Sequence, residues 1–180
     1  LGDVYKRQLW MKAKGQSPAD GRLLMVTAED KNYVAEVDVQ VTKGNKAGLL
    51  LYYNEKAFAG LMSDGKTFEI YRHAGQKTEK PNTIGRNFTV RIKNQGNRAS
   101  IWVSEDRLSW TLLAENIDVS GMHHNAYKGF FALRVALVSA GKGKAGFSRF
   151  RYQNAVPQEK DMSAYLMVFH KDETHGLYMA

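Results

Sequence analysis

The chain has 180 residues and a formal net charge of +8 at pH 7; 43% of the residues are hydrophobic and none is cysteine. The length suits one domain with a piece of another, the missing cysteine excludes a disulfide framework and a thiolate zinc site, and no apolar run approaches the roughly 20 residues of a membrane-spanning helix, so we expect no membrane partner. Lysines and arginines are spread singly over strands and turns rather than along one stripe, so we expect no nucleic acid partner.

The first 21 residues show no strand pattern. Residues 3–8, "DVYKRQ", match the translation of a transposase sequencing adapter, so we expect residues 1–8 to be a library scar on a metagenomic fragment. On that interpretation the missing signal peptide carries no information about secretion. Residues 9–21 are interpreted as a lead-in or linker.

Alternation of apolar and polar residues dominates residues 22–152 and predicts β-strands. One face of "NYVAEVDVQV" collects Tyr33, Ala35, Val37, Val39 and Val41. The same pattern recurs in "RNFTVRIKN" and "NRASIWVSE", whereas "GLLLYY" and "GFFALRVALVS" are apolar on both faces, as is typical of central strands under two layers. Turn signals such as "SDGK" and "NQGN" separate about ten such runs, and no helical period is sustained, so an antiparallel all-β sandwich is predicted over residues 22–153.

The pattern breaks after residue 153. Residues 154–161, "NAVPQEKD", are polar, contain a proline and are interpreted as a linker. Residues 162–180 contain two apolar runs around the turn "KDETHG", which predicts a hairpin too short to fold alone and therefore the start of a further unit.

Catalytic and metal-binding motifs are not found in the sequence. It contains no Gly-x-Ser-x-Gly nucleophile elbow and no phosphate-binding loop. Asp172 and Glu173 are neighbours in a turn, which does not suit the two opposed carboxyl groups of glycoside hydrolysis. The adjacent pair His123 and His124 has no further ligand at a useful spacing, so a loop role is favoured over zinc. We expect no catalytic residue, metal ligand or cofactor in this chain, and the sequence does not decide calcium binding.

Two aromatic residues fall on polar strand faces. Trp102 stands between serines, and Tyr71 shares its face with Glu69. A flat exposed ring can stack on a sugar, whereas a ring covered by loops or by an adjoining domain gives the same pattern, so both interpretations stay open. The aromatic residues at inward or strand-end positions are expected in the core, namely Phe68, Phe88, Phe131, Phe147 and Trp110.

Several segments, in this order, resemble one domain family. They are "SPADGRLLMVTAEDKNYVAEVDVQV", "AGLLLYYNEKAFAGLMSDGKTFEIYR", "NRASIWVSEDRLSWTLLAENIDVSGMHHNAYKGFFALRVAL" and "GKAGFSRFRY". Residues 10–152 together resemble the concanavalin A-like β-sandwich attached to glycoside hydrolase family 43 enzymes, the β-xylosidase and α-arabinofuranosidase group. The segment "DMSAYLMVFHKDETHGLYMA" resembles the first hairpin of the five-bladed β-propeller that is the catalytic fold of that family.

The resemblance implies a jelly-roll sandwich packed against a propeller catalytic domain, a plant cell-wall oligosaccharide or polysaccharide as partner, and a periplasmic or extracellular bacterial location. No catalytic residue carries over, because no proline here follows an Arg-Asp pair. In the family one sandwich loop can border the active-site mouth. The most similar segment is 120–129, whose His124, Asn125 and Tyr127 are the expected carbohydrate or domain contacts.

Three functions follow from these expectations. The first is an accessory domain of a hemicellulose-degrading hydrolase, shaping the mouth of an adjoining catalytic site. The second is an autonomous carbohydrate-binding module that uses a sheet face carrying Tyr71 and Trp102. The third is a structural spacer between catalytic domains.

Overall fold

The structure of the chain is a computed structural model that describes residues 8–28, 30–73, 76–129 and 132–155. Within these ranges the backbone forms twelve β-strands and no helix. In chain order the strands are β1 (Leu9–Lys12), β2 (Arg22–Thr27), β3 (Asn32–Val41), β4 (Asn45–Asn54), β5 (Ala57–Ser63), β6 (Thr67–His73), β7 (Gln76–Pro81), β8 (Asn87–Gln95), β9 (Arg98–Ser104), β10 (Thr111–Asp118), β11 (Arg134–Gly141) and β12 (Lys144–Asn154).

The strands form two six-stranded antiparallel sheets. Sheet A has the order β1-β12-β3-β8-β9-β10, and sheet B has the order β2-β11-β4-β5-β6-β7. Side chains from both sheets meet in one buried core cluster, which places the sheets face to face. The antiparallel all-β sandwich that the alternation predicts is confirmed.

The alternation also predicts correctly which side chains enter the core. The apolar face of β3 is buried throughout, from Tyr33 at 1% exposure to Val41 at 3%. Its partners across the ladders point the same way, because paired residues of an antiparallel sheet share a face. Of the aromatic residues expected inside, Phe68, Phe88 and Phe147 are buried in the core, and Phe131 lies outside the described residues.

Sheet B is apolar on both faces at its centre, as "GLLLYY" predicts. In β4, Leu49 and Leu51 enter the core between the sheets, whereas Leu50 and Tyr52 belong to a second buried cluster on the opposite face. The strand β11 behaves alike, with Val135 in the first cluster and further residues in the second. Two apolar faces explain why these central strands show no alternation.

A two-residue turn fixes the register of the β8–β9 hairpin. Gly96 and Asn97 both have positive φ, 52° and 67°, and the residues on either side of them pair directly. This is the geometry of a type I′ turn, which glycine and asparagine adopt at the least steric cost. The hairpin carries Trp102 on β9, so the turn sets which residue lies opposite that indole.

Part of the segment 9–21, predicted as a lead-in, belongs to the sheet. Residues 9–12 form β1 and pair with β12, and Met11 is buried in the core. The side chain of Gln8, the last residue of the predicted scar, donates a hydrogen bond to Gln40 Oε1 at 3.0 Å.

At the other end of the described chain, β12 ends at Asn154. The predicted scar before residue 8, the linker beyond residue 155 and the predicted propeller hairpin at 162–180 lie outside the described residues.

Candidate functional site

The loop that joins β10 to β11 contains the segment 120–129. Its base is fixed by backbone hydrogen bonds: Val119 N–H donates to Asn97 O and Met122 N–H donates to Val119 O, both at 3.0 Å. The side chains of Val119 and Met122 are buried in the core. The loop therefore leaves the sandwich from a packed base beside the β8–β9 turn.

A buried tyrosine holds the far side of this loop. Tyr53 of β4 is fully buried, and its hydroxyl donates a hydrogen bond to Gly129 O at 2.6 Å. Its ring centre lies 6.1 Å from that of Tyr127, and Arg134 Nη2 donates to Tyr53 O at 2.8 Å. The end of loop 120–129 is thus tied to sheet B through one hydroxyl group and one ring contact.

The tip of the loop is a tight turn around His123. The backbone N–H groups of Ala126 and Tyr127 donate to His123 O at 3.1 and 3.0 Å, and Asn125 N–H donates to His123 Nδ1 at 3.2 Å. His124 and Asn125 are exposed, whereas Tyr127 is half-buried against the core. The structure therefore brings the three predicted loop residues together, with two of them directed outward.

The pair of histidines forms no metal site with other residues in the part of the chain that the structure describes. The rings of His123 and His124 lie 6.1 Å apart, and the Nδ1 atom of His123 accepts the Asn125 hydrogen bond. No group of at least three histidine, cysteine or acidic residues that could hold a metal occurs among the described residues.

Tyr71 lies on the outer face of sheet B, in the buried cluster opposite the core. It is 5% exposed, its ring packs edge-on against Phe58 at 5.6 Å, and its hydroxyl donates to Glu69 Oε2 at 2.8 Å. Burial raises the pKa of the Tyr71 hydroxyl, and the hydrogen bond to Glu69 raises it further. A ring enclosed in this way offers no face for stacking on a sugar.

Glu69 lies beside Tyr71 on the outer face of sheet B. Its side chain is 8% exposed and accepts hydrogen bonds from Lys46 Nζ at 2.5 Å and Lys77 Nζ at 2.9 Å, in addition to the Tyr71 hydroxyl. Burial alone would raise the pKa of this carboxyl, but the hydrogen bonds from Lys46, Lys77 and Tyr71 outweigh burial and hold the pKa below its ordinary value.

Trp102 lies on the opposite side of the molecule, on the outer face of sheet A. Its cross-strand neighbours are Arg91 on β8 and Leu112 on β10, and it is half-buried. Tyr71 and Trp102 therefore belong to different sheets. The hypothesis of one sugar-binding face that carries both rings receives no support, because the whole sandwich separates them.

The outer face of sheet A carries an ion network that the sequence did not reveal. Arg91 donates to Glu36 Oε2 at 3.1 Å and stacks over Trp110, its guanidinium carbon 3.6 Å from the ring centre. Trp110, expected in the core, is thus half-buried on the outer face. Arg107 joins the network at Asp38, with a distance of 2.6 Å. The pairing of Arg91 with Glu36 could have been found from opposite charges at facing positions of two strands. The position of Arg107 could not, because it depends on the conformation of a loop.

Within the described part of the chain no helix has the length and apolar character needed to span a membrane.

None of the curated proteins matches the sequence. Residues 8–153 match the model of one protein family, described as the beta xylosidase C-terminal concanavalin A-like domain. The chain belongs to this family.

Solved structures show the same fold. The family 43 protein BlXynB of Bacillus licheniformis superposes with a TM-score of 0.65 at 14% identity over 82% of this chain and 32% of its own. The xylan beta-1,4-xylosidase of Bacillus halodurans gives 0.62 at 16% over 82% and 33%. The GH43B protein of a Bacteroides ovatus xyloglucan locus gives 0.65 at 14% over 82% and 33%. The family 43 sandwich described here thus spans about a third of the length of these proteins.

Proposed function

We propose that this chain is the accessory sandwich of a family 43-like glycoside hydrolase acting on hemicellulose such as xylan or arabinoxylan. In this proposal loop 120–129 borders the mouth of the catalytic site in an adjoining propeller domain. His124 and Asn125 contact the substrate or the rim of that domain, and Tyr127 positions them. The chemistry itself belongs to the propeller.

One observation carries the proposal: the loop is anchored at both sides while its tip is exposed. An exposed loop without anchors would lose conformational entropy on every contact it makes, at a cost of about 1–2 kcal/mol for each ordered residue. The bonds from Tyr53 to Gly129 and from Val119 to Asn97 order this loop in advance. Preorganised polar side chains are what a substrate-contacting rim requires.

The test uses the full-length protein from which the chain comes. We expect His124→Ala and Asn125→Ala each to lower kcat/KM on aryl β-xyloside or aryl α-arabinofuranoside by about tenfold, the effect of losing about 1.4 kcal/mol of transition-state stabilisation. The melting temperature should stay within error, because both side chains are exposed.

Lys142→Ala is the matched control. Lys142 is exposed in the β11–β12 turn, at the opposite end of β11 from the loop. Its removal should leave kcat/KM unchanged. If the two loop variants behave like this control on both substrates, the loop does not border the active site and the spacer function is favoured.

A further inference from the structure

A polar cleft of about 200 Å³ opens on the outer face of sheet A. Its polar lining comes mainly from Asp38 and Gln40 on β3, Asn87 on β8, Glu105 in the β9–β10 loop and Arg149 on β12. Gln40 and Asn87 are paired across the two strands, and both are exposed. The cleft lies at the opposite end of β3 and β8 from the base of loop 120–129, so the proposed function does not use it.

Two strained arginines orient the carboxylate in this cleft. Arg107 and Arg149 have positive φ angles of 64° and 50°, a conformation that non-glycine residues rarely adopt. Both place their guanidinium groups on Asp38, which also accepts a hydrogen bond from Thr89 Oγ1 at 2.8 Å. Backbone strain of this kind concentrates at ligand-binding positions. A register shift in β12 accompanies Arg149, and β-bulges commonly redirect a side chain in this way.

An aromatic ring lies on β1, in the same cross-strand row as the cleft residues Gln40 and Asn87. Trp10 pairs with Gly146 of β12, which pairs in turn with Gln40. Because Gly146 lacks a side chain, the side chain of Gln8 and the edge of the indole both lie over the strand; a Cβ atom there would be 2.3 Å from Gln8 Nε2 and 3.2 Å from Trp10 Cη2. The Trp10 residue is 41% exposed, and the ammonium group of Lys144, itself an exposed residue, lies over the ring with Nζ 4.4 Å from the ring centre.

The row from Trp10 to Asn87 crosses four neighbouring strands of sheet A. At about 4.8 Å between strands the row is roughly 14 Å long, enough for a short oligosaccharide. Gln8 lines the cleft as well, but the other lining groups come from β3, β8, β12 and the β9–β10 loop. The side chain of Gln8 lies over Gly146, and its Nε2 atom donates to Gln40 Oε1 at 3.0 Å, so residue 8 is part of the cleft.

The charges of the cleft are balanced. The carboxylates of Asp38 and Glu105 stand against the guanidinium groups of Arg149 and, behind Asp38, Arg107. A balanced site attracts neither a polyanion nor a cation, whereas side-chain amides can donate to and accept from sugar hydroxyls and carboxylates can accept from them. We propose that this cleft binds an uncharged oligosaccharide, with one sugar ring stacked on Trp10 and its neighbours hydrogen-bonded to Gln40 and Asn87.

Native affinity electrophoresis of the 180-residue chain tests this proposal. Gels are cast with soluble arabinoxylan, mixed-linkage β-glucan or galactomannan as neutral probes and with polygalacturonate as the anionic probe. We expect at least one neutral polysaccharide to retard the chain. Trp10→Ala and Gln40→Ala should each weaken that binding by about tenfold, because each removes one well-placed contact.

Gln153→Ala is the matched control, since Gln153 is an exposed glutamine on β12 that lies beyond the β12 register shift, away from the cleft. It should be retarded like the unsubstituted chain. Circular dichroism checks that each variant folds. Absence of retardation in every neutral gel, or equal retardation of both cleft variants and the control, overturns the proposal. Retardation by polygalacturonate alone that salt abolishes also overturns it, because charge would then explain the binding.

The result is independent of the proposed function. His124→Ala and Asn125→Ala lie outside the cleft and should leave retardation unchanged. A chain that binds neutral glycan while the loop variants of the full-length enzyme stay fully active would support the cleft and reject the loop. A chain that no neutral glycan retards, together with loop variants of lowered kcat/KM, would reject the cleft and support the loop.

Discussion

Asp38 receives three donors that differ in their exposure. The side chain of Arg107 is 14% exposed and that of Arg149 is 62% exposed, while the Asp38 side chain is 17% exposed. A hydrogen-bonded ion pair sheltered from water contributes more to stability than one in solvent, where screening and side-chain entropy cancel most of the attraction. The two arginines should therefore have unequal effects on folding, although both contact the same carboxylate.

We expect Arg107→Ala to lower the free energy of unfolding by about 2 kcal/mol, because it removes a charged hydrogen bond and leaves Glu36 and Asp38 with one partner fewer. Arg149→Ala should cost less than about 1 kcal/mol. Urea unfolding followed by tryptophan fluorescence measures both values. Equal losses of unfolding free energy would show that the exposure of the two arginines does not determine their contributions to stability.

Glu69 should make the stability depend on pH. Hydrogen bonds hold its pKa below the ordinary 4.5 in the folded chain despite its burial. A carboxyl with a lowered folded pKa stabilises the fold above its unfolded pKa, and this contribution disappears as the pH falls through the folded value. We expect Glu69→Gln to cost on the order of 1–2 kcal/mol at pH 7 and progressively less below about pH 4.5.

Denaturant unfolding of the Glu69→Gln variant at several pH values between 3 and 7 gives the comparison. Glu79→Gln is its control, because Glu79 also contacts Lys77 at 2.9 Å but its side chain is 55% exposed. That variant should track the unsubstituted chain over the whole range. A Glu69→Gln penalty that does not change with pH would mean that shape rather than charge makes this residue important.

The positions of Tyr71 and Trp102 in the sandwich could not be predicted from the sequence. Both stand on polar faces in the sequence, yet one is enclosed and the other half-buried on the other sheet. Alternation assigns a side chain to one face of its own strand, but it does not say which sheet the strand joins. Alternation also does not show whether a face with polar residues is buried, and the face that carries Glu69 and Tyr71 is buried.

At the scale of the strands, β4 and β5 approach each other unusually closely. A Cβ atom on Gly48 would lie 1.9 Å from Leu61 O, and one on Gly60 would lie 2.4 Å from Leu49 O. Backbone atoms of a central ladder cannot move aside as the end of a side chain can. These glycines are therefore required by the pairing of the two strands.

We expect Gly48→Ala to destabilise the fold by about 3 kcal/mol or to prevent folding, since it inserts a methyl group into a packed ladder. Gly121→Ala is the matched control, because apart from Gly121 and its two chain neighbours no residue has an atom within 4 Å of the Cβ position. Thermal unfolding by circular dichroism compares the two. A Gly48→Ala chain as stable as the control would contradict the close approach.

The strand β1 extends the sandwich toward the start of the chain. Met11 is 7% exposed within the core cluster, while Lys12 beside it is exposed. We expect Met11→Ala to cost about 2–3 kcal/mol as a large-to-small core substitution, and Lys12→Ala to stay within about 0.5 kcal/mol. Guanidinium unfolding distinguishes these outcomes; a Met11→Ala variant as stable as Lys12→Ala would contradict the packing of β1 in the core.

Most strands were predictable because their faces differ in polarity. The buried face of β3 and the two-sided apolar centre of sheet B follow directly from period-2 patterning and its absence. Four-residue β1 escaped prediction because "LWMK" is too short to show a period. The cleft on sheet A escaped it too, since the strands that supply Trp10, Gln40 and Asn87 are far apart in the chain and become neighbours only through the strand order.

The two candidate surfaces, loop 120–129 and the polar cleft, lie toward opposite ends of the sandwich. Loop 120–129 leaves one end beside the β8–β9 turn, and the polar cleft lies toward the other end of sheet A. A domain arranged in this way could contact a catalytic neighbour at one end while a glycan occupies the outer face of sheet A.

Hydrolysis of a glycoside needs a carboxylic acid kept protonated near neutral pH opposite a second carboxylate. Among the described residues, the carboxyl groups whose pKa departs from the ordinary value are all shifted downward. Hydrogen bonds within their turns cause the shift in Asp20, Asp106 and Asp118, and hydrogen bonds from lysines and a tyrosine cause it in Glu69. We therefore expect the purified 180-residue chain to release no nitrophenol from 4-nitrophenyl β-xyloside or α-arabinofuranoside above a buffer blank, with the full-length protein as the positive control. Turnover that stays with the chain through a second purification and disappears when the chain is unfolded would place catalytic groups inside this sequence and contradict their assignment to a neighbouring propeller.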